Sequence, residues 1–150
     1  MNPPAPSQLF SYRATVRFSH TDPSGTVYLP RFFEFIQGAA EDWFTHGLGI
    51  SFATMIREQR MGQPTVHIDA DFRAPSFLGD QLDIEVYQVK LGRTSFELNF
   101  IARAGGELRF RARASQVMVS YDTGRPIPLP DDMRAAMQAY MAAVPLPEGD

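Results

Sequence analysis

Strict alternation of apolar and polar residues dominates this chain, broken once by a long stretch with helical spacing. From Ser11 to Phe18, Tyr12, Ala14, Val16 and Phe18 face one way and Arg13, Thr15 and Arg17 the other, which predicts a strand with one covered face. The strand stops in the turn-forming cluster Ser19–Gly25. Pro30 then suits the first turn of a helix, where a missing N–H costs nothing. Phe32, Phe33, Ile36, Ala39, Ala40, Trp43 and Phe44 recur at helical spacing behind it, and Gly47 and Gly49 end the run. That helix covers about 17 residues, and its wide aromatic stripe requires it to be deeply embedded.

Residues 51–63 are ambiguous, with Phe52, Met55 and Ile56 suggesting a turn or two of helix. Beyond Pro64 the pattern is β. Val66, Ile68, Ala70 and Phe72 alternate with His67, Asp69, Asp71 and Arg73; Leu82, Ile84 and Val86 with Asp83 and Glu85; Phe96, Leu98 and Phe100 with Glu97 and Asn99. Gly105-Gly106 signals a hairpin, after which Leu108, Phe110, Ala112 and Ala114 alternate with Arg109, Arg111 and Arg113 on a strand that can run on to Tyr121. Pro126, Pro128 and Pro130 stiffen a connector into a short amphipathic helix, Asp131 to Ala143, carrying Met133, Met137, Tyr140 and Met141. An antiparallel sheet with one apolar face must cover it, and one long aromatic helix does so. The expectation is an α+β hotdog fold: a five-stranded antiparallel sheet wrapped around one long central helix, in a single domain over residues 9–145 with flexible termini at 1–8 and 146–150.

Composition narrows the function. The 150 residues are 44% hydrophobic and include twelve Phe, enough for one core. A formal net charge of −3 argues against a nucleic-acid binder. The absence of cysteine excludes disulfides, thiolate-bound zinc and a Cys nucleophile, and fits a reducing compartment. No apolar run approaches the ~20 residues of a membrane span, and no secretory signal is visible, so a cytoplasmic protein with no membrane partner is expected.

The chemistry concentrates in His20-Thr21-Asp22-Pro23-Ser24-Gly25-Thr26-Val27-Tyr28-Leu29-Pro30. A strand delivers a carboxylate into a tight loop, and a helix begins a few residues later. Helix N-termini expose unpaired N–H groups and about half a positive charge, which would polarise a thioester carbonyl and stabilise the oxyanion formed on attack. Asp22 would then either attack the carbonyl carbon or take a proton from attacking water.

The segment Phe18 to Phe33, F-S-H-T-D-P-S-G-T-V-Y-L-P-R-F-F, resembles the loop-and-helix signature of the 4-hydroxybenzoyl-CoA thioesterase family, close to D-x-D-P-x-G-x-V-x-x-P-x-[FY]. The resemblance runs from about Ser11 to Tyr121 and includes Gly62-Gln63-Pro64 and Phe72-Arg73-Ala74-Pro75 before a Gly-Asp turn. It implies an acyl-CoA thioesterase acting on an aroyl- or short/medium acyl-CoA, with Asp22 as nucleophile or general base. It implies that the Leu29 backbone N–H polarises the carbonyl, that Gly25 keeps the loop clear for the acyl group, and that homodimers assemble into a homotetramer. His20 stands where the family often has a carboxylate, and a neighbouring imidazole would shift the Asp22 pKa.

Tyr28, Phe32, Phe33 and Trp43 are candidates for the acyl pocket, with His20 beside them in the loop. Arg109 and Arg111, with Arg93 in a nearby turn, are candidates for the phosphates of coenzyme A, although a row of Arg on a strand is more often a solvated face. His67 and Asp69 share a polar strand face, but no two His sit at ligand spacing, so no metal is expected, and no cofactor beyond the coenzyme A of the substrate. Two rivals are a hotdog-fold acyl-CoA hydratase/dehydratase and a non-catalytic acyl-CoA-binding module. The first normally uses D-x-x-x-x-H, and Val27 stands where that His would be.

Overall fold

A computed structural model of the protein describes residues 8–147; residues 1–7 and 148–150, most of the termini expected to be flexible, lie outside the described residues. Five antiparallel strands form the main sheet: β1 (Phe10–Thr15), β3 (Thr65–Phe72), β4 (Gln81–Leu91), β5 (Ser95–Ala104) and β6 (Glu107–Val117), in the spatial order β1-β4-β5-β6-β3. A second, two-stranded ribbon pairs β2 (Met61–Gly62) with β7 (Val119–Ser120). The helices are α1 (Leu29–Asp42), α2 (Phe52–Arg57) and α3 (Asp131–Ala143).

Helix α1 lies in the concave face of the sheet, as the aromatic stripe requires. Its buried residues are Phe32, Phe35, Ile36, Ala39 and Ala40, continued by Trp43 and Phe44 in a wider π-helical turn over Trp43–Gly47. The spacing corrects one assignment. Phe33 is a 100° step off the stripe and 39% exposed, whereas Phe35 closes it at 5%. Across from the helix the sheet presents Leu82, Ile84, Val86, Leu98, Phe100 and Phe110, all fully buried. Trp43 anchors the far end against Phe44, Phe96 and Tyr140, with ring centroids 5.3, 6.4 and 5.4 Å away. Gly47 ends the helix, and a further reason for glycine there is crowding: a Cβ would stand 2.7 Å from Trp43 Cδ1, and that ring has nowhere to move.

Strand ends depart from the pattern in two places. β1 stops at Thr15, and Phe18, expected on the apolar face, sits in a 3₁₀ turn over Phe18–His20 and is 82% exposed. β6 stops at Val117 rather than Tyr121, because the Met118 N–H leaves the ladder for Thr94 O at 2.8 Å. The Gly105-Gly106 hairpin is a two-residue turn closing the pair Ala104–Glu107, with φ of 58° and 83°. Positive φ at both positions is what a right-twisted hairpin needs and what glycine supplies freely.

Helix α3 solves an edge problem. β1 reaches only as far as Phe10 opposite Val86, leaving the rest of β4 without that neighbour. α3 packs against β4, and Tyr140 bridges the end of the ladder: its Oη donates to Val86 O at 2.6 Å and accepts from the Phe10 N–H at 3.1 Å. Tyr140→Phe would leave both backbone groups unpaired in a site where Tyr140 is 2% exposed. A destabilisation of about 1–3 kcal/mol is expected, read as a lower denaturant midpoint at unchanged m-value.

Candidate active site

The loop between β1 and α1 folds back on itself as a miniature hairpin. Thr21 bridges Val27, the Asp22 N–H donates to Thr26 O at 3.0 Å, and the Gly25 N–H returns to Asp22 O at 2.9 Å. Gly25 has φ +82°, and nothing lies within 4 Å of where a Cβ would stand. The handedness of the turn, rather than crowding, is therefore what demands glycine there. Asp22 Oδ1 accepts from the Ser24 N–H at 2.9 Å and from the Ser24 hydroxyl, and Ser24 Oγ is 2.7 Å from Thr26 Oγ1. The Ser24 hydroxyl, then its N–H, hold the Asp22 carboxyl below the usual carboxylate range.

Next to this turn the helix starts. The Tyr28 N–H donates to His20 O and the Arg31 N–H to Tyr28 O, at 2.9 and 2.8 Å. Pro30 has no N–H to offer. The Leu29 N–H has no acceptor among the described residues, so the positive end of α1 presents one free backbone donor.

His20 takes a different role from the one considered for it. Its Nδ1 accepts from the Arg17 N–H at 2.9 Å, and its ring packs edge-on to Phe35 with centroids 4.7 Å apart. The imidazole therefore caps a local turn, and the Asp22 shift arises from Ser24 instead. His20 lines a separate polar cavity of 520 Å³ with Arg13, Arg17, Arg31 and Glu34.

A second cavity, of 310 Å³, opens beside the loop, walled by Thr26, Val27, Phe32, Phe72, Arg73, Ala74, Pro75 and Ser76. Its aromatic wall is a cluster in which the Phe32 ring centroid is 4.8 Å from that of Phe72 and 5.4 Å from that of Phe110. The segment Ser76–Phe77 is fastened to the loop: the Val27 N–H donates to Ser76 O at 2.9 Å and Thr26 bridges Phe77. Thus the strand-like pair Thr26–Val27 has Asp22 on one side and Ser76 on the other. Of the aromatic residues considered for an acyl pocket, Phe32 lines this cavity. Tyr28 and Phe33 point outward, 55% and 39% exposed, and Trp43 is fully buried in the core. Phe72 and Ser76, missed in the sequence, come from the far end of β3 and the loop after it.

The three arginines separate. Arg109 is committed to protein partners: Nη1 donates to Asp80 Oδ2 at 2.6 Å and to Pro75 O at 3.1 Å, and Nε lies 2.7 Å from Glu107 Oε1. Arg111 and Arg113 stand in register with Asp71 and Asp69 of β3. Arg93, expected in a nearby turn, is at the opposite end of the sheet, because Ser95 pairs with Val117 whereas Arg103 pairs with Leu108. At about 3.3 Å per residue the two sites are roughly 25–30 Å apart, too far to grip one phosphate group. His67 Nε2 lies 3.5 Å from Asp69 Oδ2, and among the described residues no group of three or more His, Asp or Glu converges as a metal site.

A sequence profile described as the thioesterase-like superfamily matches residues 16–137, which span the loop, α1 and the strands of the sheet other than β1. The chain belongs to that superfamily. As a thioester hydrolase it is 30% identical to a 1,4-dihydroxy-2-naphthoyl-CoA hydrolase of Acaryochloris marina, over 89% of this chain and 98% of that one. The solved structure of a 1,4-dihydroxy-2-naphthoyl-CoA thioesterase from Synechocystis matches with a TM-score of 0.78 at 25% identity, covering 87% of this chain and 96% of that one. The 4-hydroxybenzoyl-CoA thioesterase of a Pseudomonas species matches with a TM-score of 0.78 at 24% identity, covering 85% and 98%, and shows the same hotdog fold. In the described part of this chain no helix is long and apolar enough to cross a membrane.

Proposed function

We propose that this thioesterase hydrolyses an aroyl- or short/medium acyl-CoA to the free acid and coenzyme A, with Asp22 as nucleophile or general base. The observation that carries the reading is the Thr26–Val27 pair, which ties a carboxylate-bearing turn, the start of α1 and an aromatic cavity into one unit. The acyl group would enter the cavity walled by Phe32 and Phe72, and its carbonyl oxygen would meet the Leu29 N–H. As the tetrahedral oxyanion forms, that donor and the helix dipole stabilise the new charge. By the base route, Asp22 takes a proton from water, the hydroxide adds to the carbonyl carbon, the C–S bond breaks and the thiolate of coenzyme A departs. By the nucleophilic route, Asp22 itself forms the C–O bond, expels the thiolate, and water hydrolyses the resulting anhydride. Either route works without a further cofactor, because a thiolate leaves readily and positioning carries the rate. The named relatives act on aromatic CoA thioesters, which favours the aroyl end of the substrate range.

An assembly of homodimers into a homotetramer fits the surface of β3. This strand ends the sheet, with β6 on one side only, and exposes Val66, Ile68 and Phe72 at 63%, 36% and 42%. A long open edge with apolar side chains invites pairing with a second copy, which would also roof the cavity beside Phe72. For the phosphates of coenzyme A, Arg17 at the polar cavity near the helix start is better placed than Arg109, whose charge is spent internally; Arg31 in the same cavity is paired with Glu34 at 2.8 Å. The deciding experiment is a thiol-release screen over aryl, short-chain and long-chain acyl-CoAs, with crotonyl-CoA hydration followed in parallel and the assembly state measured by sedimentation. Thiol release from at least one class supports the reading. Hydration without thiol release would transfer it to the hydratase class, and tight binding without either reaction to a binding module.

A further inference from the structure

We propose that Thr26 is a positioning residue for Asp22, acting through Ser24: a one-way chain of hydroxyls holds Asp22 Oδ1 and leaves Oδ2 to react. The inference rests on the thioesterase reading and deepens it. Asp22, Ser24 and Thr26 stand two residues apart, and the turn brings their side-chain oxygens into one chain. The direction of that chain is fixed. An ionised carboxylate only accepts, so the single hydrogen on Ser24 Oγ is committed to Asp22 Oδ1. At the 2.7 Å contact with Thr26 Oγ1, Ser24 Oγ can then only accept, and Thr26 donates. Asp22 Oδ1 takes the Ser24 N–H as well, at 2.9 Å, whereas Oδ2 accepts from no other residue among the described residues. One oxygen is held, and the other is free to attack carbon or take a proton.

Thr26 is the firm end of this chain. Ser24 is exposed in the turn, where water competes for its hydroxyl. Thr26 sits in the strand-like pair instead. Its carbonyl accepts from the Asp22 N–H at 3.0 Å, it bridges Phe77, and the neighbouring Val27 N–H donates to Ser76 O at 2.9 Å. A donor fixed in this way orders the Ser24 side chain, and its hydrogen bond polarises the Ser24 hydroxyl into a stronger donor to the carboxylate. The carboxylate is thereby held in one orientation, which a reacting group needs. Among the described residues no ion pair takes this role. Of the charged groups on the elements around the loop, Arg31 pairs with Glu34, Arg109 pairs with Asp80, and the His20 imidazole accepts from the Arg17 N–H. The Ser24 hydroxyl and then its N–H lower the Asp22 pKa, with no neighbouring charge contributing.

The test follows the Asp22 carboxyl by NMR titration, beside kcat and KM against pH on the best CoA thioester. The proteins compared are wild type, Thr26→Val, Thr26→Ser, Ser24→Ala and the double variant Ser24→Ala/Thr26→Val. Valine keeps the branched shape of Thr26 and removes only the hydroxyl. Thr26→Val should raise the midpoint of the Asp22 titration and carry the acid limb of kcat/KM to higher pH with it. At neutral pH it should lower kcat by about 2–10-fold and leave KM unchanged. Thr26→Ser, which keeps the donor, should restore the wild-type values. Because Thr26 acts only through Ser24, the double variant should match Ser24→Ala alone. An Asp22 midpoint unmoved by Thr26→Val overturns the proposal, as does a Thr26→Val effect of equal size with and without the Ser24 hydroxyl; in both cases the thioesterase reading stands. A wild type that releases thiol from no thioester overturns that reading and the part of the chain in hydrolysis, whatever the titration shows.

Discussion

Replacing Asp22 by Asn is expected to lower kcat/KM on the best CoA thioester by about 10²–10⁴-fold while the protein stays folded. The structural consequence should be small because the amide oxygen of Asn still accepts from the Ser24 N–H and hydroxyl, which is all the turn uses. What the substitution removes is the charge and the second carboxylate oxygen, the parts that would attack carbon or take a proton. Ser24→Ala separates support from chemistry. The Ser24 hydroxyl is the first cause of the lowered Asp22 pKa, so its loss should raise that pKa and move the acid limb of the kcat/KM profile to higher pH, with a smaller loss at neutral pH. Near-normal turnover by Asp22→Asn across the acyl-CoA panel would remove Asp22 from the mechanism. An acid limb unmoved in Ser24→Ala would mean that some other group sets it.

The difference between what the chain's pattern discloses and what it hides follows from range. Alternation located β4 and β5 and most of β6, and 3.6-residue spacing located α1, because each is a local consequence of one buried face; β3 alternates in the same way, but Val66, Ile68 and Phe72 on it are exposed. The Gly105-Gly106 turn was legible for the same reason: two adjacent residues need φ values that only glycine adopts freely. The loop from His20 to Leu29 was legible as chemistry because its carboxylate and its helix start lie seven residues apart in sequence. Phe72 and Ser76 were not. They reach the cavity only through the pairing of Thr26–Val27 with Ser76–Phe77, fifty residues later, and no period in the chain encodes that contact. His20 was misleading for a related reason, since its proximity to Asp22 in sequence suggested an electrostatic partner while its ring turns back to the Arg17 N–H. The arginine row misled in the opposite sense. Alternation put Arg109, Arg111 and Arg113 on one face, but only the turn at Asp80 shows where the charge of Arg109 is spent, and only the register with β3 sets Arg111 and Arg113 opposite Asp71 and Asp69.

Arg109→Met should therefore act on stability more than on coenzyme A. The Arg109 side chain is 11% exposed and Asp80 is 27% exposed, so their 2.6 Å contact is largely shielded from water. The same guanidinium reaches Pro75 O, and the Arg109 carbonyl accepts from the Arg73 and Ala74 N–H groups at 2.8 and 3.3 Å. One residue thus fastens both ends of the loop that carries Ser76. Met fills the space of the aliphatic stem but leaves Asp80 with only the Phe77 N–H, and a loss of about 2–3 kcal/mol is expected at neutral pH. The pH dependence gives the sign. The Phe77 N–H and then Arg109 hold the Asp80 pKa below its ordinary value, so this stabilisation is complete above the unfolded carboxylate pKa, near 4, and disappears as pH falls through the folded value. The stability gap between wild type and Arg109→Met should accordingly narrow as denaturation is followed from pH 7 to below about 3. If Arg109 instead gripped the phosphates of coenzyme A, the variant would melt normally and lose activity on acyl-CoA but not on the matching acyl-pantetheine. The expected result is the reverse: a lower melting temperature, with the ratio of kcat/KM for the two thioesters unchanged.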